Sequence, residues 1–143
     1  MADTTLDLLN ELVSIEYRSL PMYLTFAMPF RTAGEDRAVE TLRHIVSDQQ
    51  HMVAKLAEEI QAREGAVDVG DFPMEFTDMH DLSLQYLIKD VIHWQQCDIY
   101  RIEQIAAQLS DDRVARELAQ EVLGSERAHL EALLELHAQP AAS

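Results

Sequence analysis

With 143 residues and 48% hydrophobic content, the chain can bury the core of one domain without covalent staples. Its four glycines, four prolines and single cysteine (Cys97) leave little of the turn chemistry of an all-β protein and exclude an internal disulfide or a Cys-rich zinc or rubredoxin-type module. The net charge of -15 excludes nucleic acid as a partner, since no basic surface is present to neutralise phosphates, and it suits cations.

The N-terminal MADTTLDLLNEL has no basic stretch ahead of an apolar run, so it does not read as a secretory signal. The first predicted helix runs from about Thr5 to Met28, with Leu9, Leu12, Val13, Leu20, Tyr23, Leu24 and Ala27 on one stripe. Pro29 and Gly34 close it, and Pro21 inside the pattern predicts a kink or an irregular turn. A second helix spans about Glu35 to Arg63, with Leu42, Ile45, Val46, Met52, Val53, Leu56 and Ile60 inward and Gly65 as its stop. Ala66 to His80, holding Gly70 and Pro73, is the one long connection and allows a crossover between parallel neighbours. A third helix runs from about Leu82 to Leu109, and Ser110-Asp111-Asp112 makes a short break with an N-cap candidate. The fourth helix runs from about Asp112 to His137. No stretch approaches the ~18 uncharged apolar residues of a membrane span, so a cytoplasmic protein without a membrane partner is expected. The fold class is all-α: one domain over residues 1–143, an antiparallel four-helix bundle with a long crossover between helices two and three.

Ionisable residues recur at telling intervals. Glu16 sits between Val13 and Leu20 on the first stripe, and buried acids normally need a partner or a metal. Helix two carries Asp48-Gln49-Gln50-His51, helix three His93, and helix four Glu126-Arg127-Ala128-His129. An acid and a histidine three apart share one helix face and can reach one metal from one side. Asp48 follows Glu16 by 32 residues and Glu126 follows His93 by 33, while Tyr23 and Tyr100 each lie seven residues after Glu16 and His93. The two halves therefore read as a weak internal repeat, which brings the ligand positions together around a pseudo-twofold axis.

Helix three leaves two faces open. One holds Tyr86, Asp90, His93, Cys97 and Tyr100; the other holds Leu84, Leu87, Val91, Asp98 and Ile102. On the second, Asp98 is the buried carboxylate and His93 lies on the surface; Asp90 is a third candidate. The repeat spacing favours His93. Asp48 and His51 lie at the edge of their stripe, where a surface pair is the alternative, and His44 shares their face. Tyr23 and Tyr100 are either core aromatics or hydrogen-bonding partners of a metal-bound carboxylate. The methionines read as core or loop residues, and Cys97 as a buried small side chain.

With these residues in place, nearly the whole chain resembles the ferritin-like superfamily, and rubrerythrins and bacterioferritins in particular. Glu16, Ser19, Tyr23 and Ala27 stand where rubrerythrin-like helices carry Glu, a small residue, Tyr and Ala, and Glu126-x-x-His129 matches the family's Glu-x-x-His. Departures are Asp48 for a glutamate, His93 at the third-helix glutamate position, and Gln96 for an extra carboxylate; Gln49 stands where haem-binding relatives carry methionine. The resemblance implies a metal site of Glu16, Asp48, His51, His93, Glu126 and His129, with Tyr23 and Tyr100 beside it. It implies two iron ions, with manganese or zinc as alternatives, oxidised by oxygen or peroxide, as in a ferroxidase or a rubrerythrin-like peroxidase. A homodimer and an external electron donor are the expected partners. The alternative is a non-enzymatic bundle whose site is vestigial or holds one zinc or manganese ion.

Overall fold

The computed structural model of the protein describes residues 4–27, 36–74, 76 and 84–138. Five helices account for most of them: α1 (Thr4–Tyr17), α2 (Leu20–Ala27), α3 (Asp36–Ala62), α4 (Leu84–Gln108) and α5 (Arg113–Ala138). The expected helix end at Met28, Pro29 and Gly34, and the loop residues Met79 and His80, lie outside the described residues.

The first predicted helix is thus two helices, broken at Arg18 and Ser19. Pro21 is the cause: it has no N–H to give, and its ring excludes the carbonyl four residues earlier, that of Tyr17, where α1 ends. Ser19 restarts the chain as an N-cap, its hydroxyl accepting the Met22 N–H at 3.2 Å.

The C-terminus of α3 is closed by a Schellman pair, the Gly65 N–H on the Ile60 carbonyl and the Glu64 N–H on the Gln61 carbonyl, both at 2.9 Å. The left-handed residue is Glu64 (φ 63°), one position before the expected stop. A Cβ at Gly65 would lie 2.8 Å from a methyl of Leu6, which would have to shift to admit it. A side chain in the left-handed region is strained, so Glu64→Gly is expected to stabilise the fold by about 0.5–1 kcal/mol, read as a shifted urea midpoint with unchanged slope.

The crossover runs along α1 and is tied to it at successive turns. Asn10 donates to the Ala66 carbonyl at 2.9 Å and accepts the Asp68 N–H at 2.7 Å, and Arg18 Nη1 donates to the Asp71 carbonyl at 2.8 Å. Gly70, at φ 67°, lets the chain pass under the Arg18 guanidinium, which a Cβ would meet at 3.0 Å. The crossover carries the chain back along α1, so α4 runs parallel to α3, and α5 returns antiparallel to α4. Asp112 caps α5 through the Ala115 N–H at 3.2 Å and takes a two-pronged bond from Arg63, at 2.6 and 2.9 Å. The Arg63 bonds, foremost, hold its carboxyl at a pKa of about 2. Asp112→Ala is expected to cost about 1–2 kcal/mol, measured by urea unfolding at pH 7.

The core is in two apolar halves. One gathers Leu9, Leu12, Val13, Met52, Leu56, Ile60, Ile102, Ile105 and Val122; the other gathers Leu20, Leu24, Leu42, Ile45, Phe76, Leu87, Val91 and Leu133. Between them, by chain position on α1, α3, α4 and α5, lies a layer of polar side chains. No helix among the described residues is long and apolar enough to cross a membrane.

Candidate functional site

Within this layer Glu16 (α1), Ser19, Gln49 (α3), Gln95 (α4), Glu126 and His129 (α5) are all buried. All of these but Glu16 are joined by hydrogen bonds into a chain that also takes in Asp48. The Ser19 hydroxyl donates to Gln49 Oε1 at 2.7 Å, and Gln49 Nε2 donates to Glu126 Oε2 at 3.2 Å. The other oxygen of Glu126 faces His129 Nδ1 at 2.5 Å, and His129 Nε2 faces Asp48 Oδ2 at 2.8 Å. Gln95 donates to the Glu126 backbone carbonyl at 3.0 Å. The Ser19 that caps α2 therefore also holds the Gln49 amide, whose NH₂ faces Glu126. Three buried side-chain atoms of the described residues lack a hydrogen-bond partner: Glu16 Oε1, Arg18 Nε and Gln95 Oε1.

The electrostatics follow from acids crowded out of water. Burial, then the charges of Glu126, Asp98 and Asp48, raises the Glu16 pKa well above the ordinary carboxyl range. Burial and Glu126 push Asp98 on α4 up to about 7, with Arg18 pulling the other way. Burial opposes a charge on His129, but Glu126 and Asp48 outweigh it and the net shift is upward. A groove of about 510 Å³ between α3 and α5, walled by Glu40, His44 and Ile45 among others, opens onto Asp48 and His129. His44 lies 3.9 Å from Asp48 on this wall.

Of the six expected ligands, the structure brings Glu16, Glu126 and His129 together, with Asp48 at the rim of the groove, its side chain 45% exposed. His51 and His93 are exposed and do not join them. Both positions follow from helix face. On α3 the unbroken apolar stripe runs Leu42, Ile45, Gln49, Met52, Leu56, Ile60, which puts Gln49-x-x-Met52 inward and turns Asp48 and His51 one position aside. On α4 the stripe of Leu87, Val91, Gln95 and Ile102 carries Asp98 towards the centre, the second of the two candidate faces, while His93 and Tyr100 (65% exposed) look outward. Asp90 is half-buried one turn before His93.

Tyr23 is half-buried among rings, 5.2 Å from Phe72 and 5.5 Å from Phe76 between centroids, an aromatic cluster that extends to Trp94. Cys97 is exposed, not buried, with its Sγ 3.8 Å from His93 Nε2. The methionines divide as expected: Met22 and Met52 are core, and Met74 is an exposed loop residue.

Two ions held by this type of bundle take a carboxylate from each of two helices and an acid-x-x-His pair from each of the other two. Here Glu16 and Asp98 stand for the first, Glu126 and His129 for one pair, and the second pair is replaced by a carboxamide and a thioether. A thioether suits soft ions and not the oxygen-loving ones, so these residues do not fit the expected two-ion centre. Among the described residues, no three His, Cys, Asp or Glu side chains are set to close on one ion as they stand, because Glu126 and Asp48 are turned onto the His129 ring. A family model, the ferritin-like domain, matches residues 6–139. No curated protein matches the chain.

Proposed function

Since the chain belongs to the ferritin-like domain family, matched over nearly its whole length, we propose that its buried polar layer is a binding site for a single divalent cation. The observation that carries this reading is Glu16 Oε1, buried, without a hydrogen-bond partner, and set among the charges of Glu126 and Asp98. Glu16, Glu126 and His129 would hold the ion, with Asp98 and Asp48 adding charge. This donor set of carboxylates and one imidazole suits iron, manganese or zinc. A bound ion supplies the positive charge the layer lacks and, if iron, one-electron exchange with oxygen or peroxide. The groove beside His44 gives the ion a path to Asp48 and His129.

The test is anaerobic titration with ferrous, manganous and zinc ions, followed by elemental analysis of the desalted protein. One ion per chain, lost in Glu126→Ala while helicity is kept, is expected. Two ions per chain, or none, overturns the reading. One observation favours a second reading: both His129 nitrogens and Glu126 Oε2 already have hydrogen-bond partners, so the layer can close on itself with protons in place of a metal. In that case no ion is found, and the bundle is a scaffold.

A further inference from the structure

We infer that Gln49, locked by Ser19, is the residue that limits the centre to one cation. The inference rests on the single-ion reading and concerns the α3 side of the layer. Gln49 is fully buried at the level of Glu126, and Met52, three residues on, shares its inward face. Across the core Glu126 and His129 make the same spacing on α5. Gln49 and Glu126 meet at 3.2 Å, with Met52 on the side of Val122 and His129 on the side of Asp48. The position that a second acid would take beside a second ion is therefore filled by a neutral carboxamide.

The amide does more than occupy space. Its NH₂ places partial positive charge on Glu126 Oε2, as a cation there would, without adding a negative ligand. A rotated amide would turn its oxygen on the carboxylate and repel it. Ser19 completes the arrangement: its hydroxyl accepts the Met22 N–H and gives its own proton to Gln49 Oε1, while the Glu126 carboxylate selects the NH₂ end of the amide. The break at Arg18–Ser19 and the number of ions are thus coupled through one hydroxyl. Gln49 is a positioning residue that determines occupancy, and Met52 beside it withholds the nitrogen donor a second ion would need.

The experiment counts cobalt(II) on the intact chain by elemental analysis, with visible absorption reporting each ion's coordination. Gln49→Glu combined with Met52→His is expected to bind one more cobalt per chain than the parent. Met52→His alone, which leaves the amide in place, is expected to keep the parent count. An unchanged count in the folded double variant overturns the inference, as does an extra ion in Met52→His alone. If the added buried acid unfolds the metal-free double variant, circular dichroism during cobalt addition decides. Folding with the extra ion supports the assignment, and a chain that stays unfolded in cobalt overturns it. A parent that binds no ion overturns the single-ion reading. The inference then falls with it, whereas one ion in the parent and an unchanged count in the folded double variant overturn the inference alone.

Discussion

Replacing Glu16 with leucine is expected to stabilise the metal-free protein by about 1–3 kcal/mol, the cost of a buried polar group left without a partner, while abolishing cation uptake. Glu16 is 1% exposed, one of its oxygens has no partner, and Leu12 and Val13 beside it are fully buried, so an aliphatic side chain of similar size meets a ready-made apolar wall. Buried charged groups are often worth less to stability than the apolar residues that could replace them. Urea unfolding in a chelator reads the stability, and elemental analysis after metal loading reads the uptake. A Glu16→Leu protein less stable than the parent would mean that the carboxyl is better satisfied than its orphaned oxygen indicates. The opposite movement of stability and binding is what separates a retained site from an ordinary core position.

The second large effect is on pH. The metal-free protein is expected to be more stable at pH 5 than at pH 8. Asp98 has a pKa of about 7 when folded against 3.8 as its usual value, so between these the folded chain holds a proton the unfolded chain has released. Each rise in pH across that interval favours unfolding, and above about 7 the loss is complete. Glu16, also raised, acts in the same direction. His129 adds to it: its raised pKa gives stability that is full below the usual histidine value and is lost as pH rises through the folded one. A tenfold change in proton affinity is worth roughly 1.4 kcal/mol, so the combined slope should be visible as a drop of several degrees in Tm. Thermal melts in a chelator check this, with Asp98→Asn predicted to flatten the profile. Saturating cation should reverse the slope, because binding a metal to acids and a neutral imidazole releases protons. A flat profile without metal would show that these acids are ionised and compensated in the folded state.

The helices were legible because their apolar stripes are long and regular, and all five begin or end within a few residues of the predicted limits. Pro21 announced the irregularity in the first helix, but the split into α1 and α2 depends on Ser19 serving as a new cap, a detail of one hydroxyl. Glu16 and the Glu126–His129 pair were readable because an acid inside an apolar stripe is too costly to bury without a partner or a task. On α3 the inward stripe is as expected, with Asp48 and His51 at its edge, and the residue that escaped notice is Gln49. The eye goes to the ionisable pair Asp48 and His51, whereas the 3-and-4 spacing through Ile45, Met52 and Leu56 passes through the neutral Gln49. A glutamine in a core stripe is a quieter signal than a histidine at its edge, yet here it marks the centre. The same holds on α4, where the repeat spacing pointed to His93 and the apolar period passes through Gln95 and carries Asp98 inward. Equal spacing in two halves constrains ligand positions only while both halves keep the same helix phase.

The polar layer between two apolar halves also governs how the two hairpins find their alignment. A seam lined only by aliphatic side chains can slip by one helical turn, about 5.4 Å, and remain well packed. In this chain such a slip would carry Glu126 and His129 against leucines and leave Gln49 without Ser19 or Glu126 to pair with. Reversing one hairpin end for end fails likewise wherever the layer lies off its midpoint. The buried acids therefore act as a phase mark that admits one alignment of α1–α3 on α4–α5. That role does not depend on an ion. It gives the chain a reason to keep costly buried carboxylates beside the amide of Gln49 and the thioether of Met52.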